Sequence, residues 1–365
     1  MSKQTEPSSQ YDGMTATAFV KGEEKKGEPT LLYAISSFIE ALFKDCPKRL
    51  RRRTLEEDHP FLIIAHRGSP SREVENTIPS FQLGLQEGAN AIELDLCITK
   101  DGQVVVWHDW EPDDIVTRVR QEGLEPIVSY TTYSPEEEER RRPVCDLTLE
   151  ELRSWYGYCH KSSFERVESH IPTFDEFIDW FIGHEDFVRA VFLDVKLPED
   201  RIDLLPPLMD SIRASLERCN SNTEFIFESM SKEIVRRMKA CYPSGNYCLD
   251  VEMPPGLVLF PSRESATKKA VQMGNSYALA MRPRSITVAP WVTYRRLVTH
   301  DTRHRQKHNR LHPHRELRGM IAATVNDPEE MRCLITLGIN GIQTDLPNLL
   351  RKVYDEVRTE LRENV

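Results

Sequence analysis

From Phe61 onward, short apolar runs alternate with longer stretches of helical spacing. FLIIAHRG reads as a brief, fully buried strand. NTIPSFQLGLQEG follows as a predicted helix, with a proline in its first turn and Gly88 just past its end. AIELDL and QVVVWHD are two further apolar runs, each predicting a strand. Thr148-x-x-Glu151 and Thr173-x-x-Glu176 each place a hydroxyl three residues before a glutamate, the signature of a capping box. Helices are therefore predicted to open at LEELRSWY and FDEFIDWFI. AVFLDVK, TEFIFES, GNYCLDVE, SYALAMR, GMIAATVN and INGIQTD complete the series, with helical segments between most of them.

Strands that alternate with helices indicate βαβ units and a parallel sheet. About eight such strands, and no G-x-G-x-x-G turn after the first, favour a closed barrel over a dinucleotide-binding sheet. The expected fold is α/β, a TIM-type (β/α)8 barrel over residues 59–356. A polar stretch from Trp110 to Arg142, containing SPEEEERRR, predicts a small insertion that either shapes access to the barrel mouth or is a plain solvated loop. Residues 1–58 form an N-terminal tail whose first 28 residues are polar and expected to be disordered. Within it, TLLYAISSFIEALF (Thr30–Phe43) is an amphipathic-helix candidate followed at once by KDCPKRLRRR. Two readings stand for that segment: a helix packed on the barrel with a basic linker, or peripheral contact with an anionic membrane surface.

Composition narrows the class. Of 365 residues, 39% are hydrophobic, ample for a large core. The net charge of −10 argues against nucleic acid as a partner. Eight cysteines contain no Cys-x-x-Cys pair, and Cys97 and Cys333 lie in apolar runs, so free thiols in a reducing, cytoplasmic setting are expected. The chain opens without a signal-like segment, and no run approaches the ~20 apolar residues of a membrane span. HDTRHRQKHNRLHPH spaces His300, His304, His308 and His312 by four, a spacing that can bind zinc on a helix. Arg303, Arg305, Lys307 and Arg310 are interleaved, which favours a solvated basic helix or loop. Against a phospholipid surface it would act together with the basic run near residue 50.

The chemistry-bearing residues gather at strand ends, where a β/α barrel builds its mouth. His66-Arg67-Gly68 ends the first strand. Glu93 and Asp95 lie at i and i+2 in the second, so both carboxylates face one side. His108-Asp109 ends QVVVWHD, and Asp194 and Lys196 share one side of AVFLDVK. Charges inside apolar strands are costly unless paired or bound to a metal. Glu93, Asp95 and Asp194 make a hard oxygen cage suited to Mg²⁺ or Ca²⁺. His66 and His108 can take and give the two protons of a displacement at phosphorus, while Arg67 and Lys196 offset phosphoryl charge. Each member has a plain structural reading. His108 alone could be a hydrogen-bonded strand-end residue, Glu93 and Asp95 could simply pair with Arg67 and Lys196, and Asp109 could cap the next loop.

These residues stand in a recognisable order. His66-Arg67-Gly68, Glu75-Asn76-Thr77, GANAIELDL, Thr99-Lys100-Asp101-Gly102 and His108-Asp109 follow one another over Ile63–Asp109. The chain thereby resembles the glycerophosphodiester phosphodiesterases, whose signature runs H-R-G, E-N-T, G-A-x-x-I-E-x-D, T-K-D-G and H-D. IPTFDEFI and TVNDPEEMRCLITLGINGIQTDLP extend the likeness across Phe61 to Leu350, with a weakly matched middle from Asn220 to Arg318. The resemblance implies a β/α barrel with His66 and His108 as acid and base. It implies Glu93, Asp95 and Asp194 as metal ligands, with Arg67 and Lys196 on the phosphate. The implied reaction splits a glycerophosphodiester to glycerol 3-phosphate and an alcohol, commonly through attack by the neighbouring glycerol hydroxyl.

Two departures stand out. Asp194-Val195-Lys196 replaces the usual E-x-K, as in the related phosphatidylglycerol-cleaving phospholipases C. Ala323 stands where the family has a pocket tryptophan, which implies a larger pocket or one filled by Trp110 or Trp291. The expected substrate is therefore a small glycerophosphodiester, with an intact glycerophospholipid such as phosphatidylglycerol as the alternative. A catalytically silent phosphate-binding barrel is the third reading.

Overall fold

The computed structural model describes residues 60–252, 265–281 and 290–363. The predicted tail, with its amphipathic segment Thr30–Phe43, lies outside the described residues, as does the side chain of Trp291. In chain order the first elements are β1 (Leu62–His66), α1 (Ile78–Gln86), β2 (Ala91–Ile98), β3 (Val104–Val106), α2 (Ile115–Gln121) and β4 (Tyr130–Tyr133). Next come α3 (Leu149–Trp155), β5 (Gly157–His160), β6 (Arg166–Val167), α4 (Phe174–Phe181), β7 (Ala190–Val195) and α5 (Leu205–Leu216). They are followed by β8 (Glu224–Ser229), α6 (Lys232–Cys241), β9 (Asn246–Glu252), α7 (Ala266–Met273) and β10 (Tyr277–Met281). The chain continues with α8 (Pro290–Leu311), β11 (Gly319–Ala323), α9 (Pro328–Leu337), β12 (Gly341–Thr344) and α10 (Pro347–Glu363).

Eight parallel strands, β1, β2, β7, β8, β9, β10, β11 and β12, pair in that order, and β12 returns to β1. The predicted barrel is thus closed. QVVVWHD is not one of its staves. β3 runs antiparallel to β2, with Cys97 opposite Val105, because the five-residue turn after Ile98 is too short for a parallel crossover.

The insertion also differs from a simple polar loop. It contains α2 and a three-stranded antiparallel sheet of β4, β5 and β6, so it reaches Val167 rather than Arg142. Trp107, Tyr158, Leu147, Leu152 and Ile171 form its own buried cluster, with Trp110 packed against it. The run Glu136–Arg140 within it is exposed as expected. Both capping boxes form, at Thr148–Glu151 and Thr173–Glu176.

Strand parity explains how the barrel interior changes along its axis. Leu62, Ile64, Ala91, Ala190, Phe192, Ile226, Cys248, Tyr277, Leu279 and Ile321 pack as one interior cluster. Moving two residues further toward the strand ends brings His66, Glu93, Asp194, Glu228 and Asp250 to the same side. The interior therefore turns from apolar to charged as it nears the mouth. The opposite parity, with Ile63, Ile92, Leu94, Val191, Leu193 and Phe227, packs under the helices.

Candidate active site

At the end of β1 the chain must leave the barrel abruptly. Arg67 has φ 53° and Gly68 φ 94°. A Cβ on Gly68 would lie 2.6 Å from the Ser80 carbonyl carbon, so only glycine fits against the first turns of α1. Ser69 N–H donates to Ser80 Oγ at 2.9 Å, and Arg67 N–H donates to Glu93 Oε2 at 3.0 Å. That turn points His66 into the mouth and sends the Arg67 guanidinium across β2.

Each histidine is held from behind by a carboxylate. His66 Nδ1 is 2.7 Å from Asp345 Oδ1, and Asp345 is itself bonded by Asn326 Nδ2 at 2.6 Å. His108 Nδ1 is 2.7 Å from Asp109 Oδ1, which also accepts from Arg120 Nε at 2.9 Å, while Oδ2 accepts from Thr132 Oγ1. A carboxylate acceptor fixes the Nδ1–H tautomer and directs Nε2 away from it. His66 Nε2 lies 3.8 Å from Glu93 Oε2. Burial and Arg67 press the His66 pKa downward, but Asp345 and Glu93 outweigh them and raise it.

The cations are deeply engaged. Arg67 Nε is 3.0 Å from Asp95 Oδ2 and its Nη1 is 3.0 Å from Glu75 Oε2. Arg120, from α2, bridges Glu75, Glu125 and Asp109, and is only 3% exposed. Lys196 pairs with Asp194 and lies 3.2 Å from Asp95 Oδ1. Burial works against the charged form of Asp95, yet Arg67, Lys196 and the Asn76 amide hold its carboxyl well below the ordinary range. Asp109 therefore anchors His108 and Arg120 instead of capping a surface loop.

Of the remaining acids on the barrel strands, Asp194 shares Lys196 with Asp95, whereas Glu228 and Asp250 form no ion pair among the described residues. Oxygens of Glu93, Asp194 and Glu228 converge within 4.8 Å, and Glu228, Cys248 and Asp250 form a second such group. Burial and neighbouring Asp95 push Glu93 up to about 8. Burial and neighbouring Asp250 likewise raise Glu228, and burial and neighbouring Asp194 raise Asp250. Glu228 Oε2 and Asp250 Oδ1 are buried without a hydrogen bond. The close carboxylate oxygens of Glu93, Asp194 and Glu228 could hold a hard divalent cation, and the orphaned Glu228 oxygen fits that group.

The structure thus brings His66, Arg67, Glu93, Asp95, Asp194 and Lys196 together, and ties His108 to them through Asp109, Arg120 and Glu75. Glu228, Asp250, Arg120, Glu125 and Asp345 were not singled out from sequence. Glu228 and Asp250 carried the same signal as Glu93, an acid near the end of an apolar strand. Ala323 is buried on β11, and Trp110 is committed to the insertion's cluster. The histidines spaced by four on α8 belong to neither converging group.

Residues 66–349 match the glycerophosphoryl diester phosphodiesterase family. The chain is similar to the glycerophosphodiester phosphodiesterase of Bacillus subtilis, 25% identical, with 80% of this chain and 86% of the relative aligned. It is 27% identical to that of Caldanaerobacter subterraneus subsp. tengcongensis over 80% of this chain and 98% of the relative. Among solved structures, an Oleispira antarctica phosphodiesterase in complex with the product sn-glycerol-3-phosphate shares the fold at TM-score 0.54. That pair is 17% identical, over 80% of this chain and 96% of that one. Glycerophosphodiester phosphodiesterase from Thermotoga maritima aligns at TM-score 0.50 and 18% identity, over 81% and 99%.

Proposed function

The chain belongs to the glycerophosphoryl diester phosphodiesterase family and is a phosphoric diester hydrolase, and we propose that it cleaves small glycerophosphodiesters to glycerol 3-phosphate and an alcohol. The observation that carries this reading is the pair of histidines, each backed at Nδ1 by a buried carboxylate, in one charged network with a cluster of converging acids.

In this reading His66 and His108 serve as the acid–base pair. First, one Nε2 takes the proton of the attacking glycerol hydroxyl while the other protonates the leaving alcohol oxygen, which leaves a cyclic glycerol phosphate. Then, with the roles exchanged, water attacks phosphorus and the ring oxygen leaves protonated, giving glycerol 3-phosphate. Asp345 and Asp109 keep both rings oriented and stabilise the imidazolium as it forms. Arg67 offers Nη2, which takes no hydrogen bond among the described residues, to a phosphoryl oxygen. Lys196 does the same from β7, and both cations offset the charge that gathers there.

Glu93, Asp95 and Asp194 would hold Mg²⁺ or Ca²⁺, with Glu228 as a fourth oxygen donor outside the family signature. Asp95 lies beside that group, with Oδ1 3.2 Å from Lys196 Nζ and Oδ2 on Arg67 and Asn76, so it would share Oδ1 between Lys196 and the ion. Such an ion, when bound, neutralises a phosphate oxygen and orients the attacking hydroxyl. The product bound in the Oleispira relative is the one this reaction would release.

The test is release of glycerol 3-phosphate from glycerophosphocholine, with Mg²⁺ or Ca²⁺ and again with chelator, beside vesicles containing phosphatidylglycerol. Chelator-sensitive cleavage of the soluble diester is expected. Cleavage of the vesicle lipid alone would replace this substrate with an intact glycerophospholipid. Cleavage of neither under any metal would leave a phosphate-binding barrel and sink the reading.

A further inference from the structure

Outside the mouth, one face of α8 carries a row of cations. Arg303, Lys307 and Arg310 recur at spacings of four and three, so they project along one side of the helix over about 10 Å. All three are exposed and make no ion pair among the described residues. Tyr294, Leu297, Val298, Thr302 and Arg305 bury the other face against the barrel. Arg315, just past the helix, adds another exposed, unpaired cation, and Leu311 beside it is 60% exposed.

The acids that flank this ridge form no ion pair with its cations among the described residues. Asp301 is buried beneath it and bonded to Ala266 N–H, and Glu316 accepts from Asn309. Positive charge is dense enough that His304, already disfavoured by burial, is pushed further down by Lys268, His300, His308 and Lys307. A chain of net charge −10 thus carries a local, uncompensated basic strip.

We infer that this ridge docks the protein on an anionic lipid bilayer. A row of unpaired cations beside an exposed leucine matches a flat surface that offers phosphate groups and an apolar layer beneath. A nucleic-acid groove would reward the cations equally but would leave Leu311 unused. The chain's path supports the same occupant. α8 descends from the mouth end of β10 to the far end of β11, so its basic half lies at the barrel's far end. β1 starts at that end too, at Leu62, and the sequence leading into it carries the apolar run Thr30–Phe43 and the basic run from Lys44 to Arg53. Docking there leaves the mouth facing water, where a soluble diester is met. This inference goes beyond the hydrolase reading and stands without it.

The experiment uses the full chain with phosphatidylcholine vesicles, with and without phosphatidylglycerol, in a sedimentation assay at two salt concentrations. The variant combines Arg303→Gln, Lys307→Gln and Arg310→Gln; a second variant with Arg303→Lys and Arg310→Lys keeps the charge. Wild type and the lysine variant should bind only phosphatidylglycerol vesicles, in a salt-sensitive way. The glutamine variant should bind roughly 100-fold more weakly, given the share each cation contributes near an anionic surface. Its thermal midpoint and its turnover of glycerophosphocholine should match wild type. Equal vesicle binding by the glutamine variant, or no binding by wild type, overturns the inference. Displacement of wild type from vesicles by a low concentration of duplex DNA also overturns it, in favour of a polyanion site.

Discussion

Two regions of this molecule are rich in charge, and they handle it in opposite ways. At the mouth, Arg67 and Arg120 are buried and Lys196 is half-buried, and each has carboxylates at hydrogen-bond distance. On α8, Arg303, Lys307 and Arg310 stand in water and pair with no carboxylate among the described residues. A buried charge without a partner costs several kcal/mol, so the mouth had to be solved as a network, with every member's position set by the others. A solvated charge costs almost nothing, so the α8 ridge fixes no geometry and is available to an outside partner. The mouth is a machine for holding groups still, whereas the ridge is a surface of potential.

The contrast predicts that substitutions at the mouth are severe, and severe in different ways. The largest effect belongs to the histidines. His66→Ala and His108→Ala should each lower kcat on glycerophosphocholine by about 10²- to 10⁴-fold, the usual worth of a positioned acid or base. The thermal midpoint should move far less, because each imidazole ends its chain and the carboxylate behind it keeps another donor, Asn326 on Asp345 and Arg120 on Asp109. Near-normal turnover in either variant would remove it from the proton-transfer roles.

Arg120→Met comes next, and acts on stability. It would leave Glu75, Asp109 and Glu125 without their shared cation. Removing one partner of such a buried group costs about 3–5 kcal/mol, readable as a lower urea midpoint at unchanged slope. An unchanged midpoint would mean that water reaches these acids, and that the mouth is less buried than its geometry implies.

Arg120 also marks where the sequence was opaque. The barrel was legible because its strands are apolar runs at regular distances, and the motif residues were legible because strand parity places i and i+2 together. His66, Glu93, Asp95 and Asp194 needed only that rule. Arg120 and Glu125 lie in a polar stretch whose periodicity is weak, and their burial depends on a small sheet whose last strand is two residues long. Nothing local announces that such an arginine is enclosed. QVVVWHD misled for a related reason: its composition is that of a barrel strand, but its direction is set by the short turn before it. Glu228 and Asp250 were legible by parity and lay in strands already recognised.

Those two acids supply the next test. Glu228→Gln removes a buried carboxylate with an unbonded oxygen from a cluster of like charge. The metal-free chain should be no less stable, while affinity for Mg²⁺ or Ca²⁺ by calorimetry falls on the order of 10- to 100-fold. Asp95→Asn should behave differently, since it also strips Arg67 and Lys196 of a counter-charge and must lower the stability of the metal-free chain. If Glu228→Gln left metal affinity intact, Glu228 would be no ligand and its raised pKa would simply report a neutral buried acid.

The smallest expected effect is the most exacting check on the comparison. Arg303→Ala, Lys307→Ala and Arg310→Ala, singly, should shift unfolding free energy by no more than about 0.5 kcal/mol. Alanine is the better helix former, and relief of repulsion between cations three and four residues apart favours the variants slightly. The sign should therefore be toward stability, most clearly for Lys307→Ala, which lies between the other two. Salt should separate the two contributions: the repulsive part fades as ionic strength rises, whereas the propensity part does not. A loss well beyond that bound would mean that one of these cations is tied into the fold, so that its placement serves the barrel itself and the ridge is not spare charge.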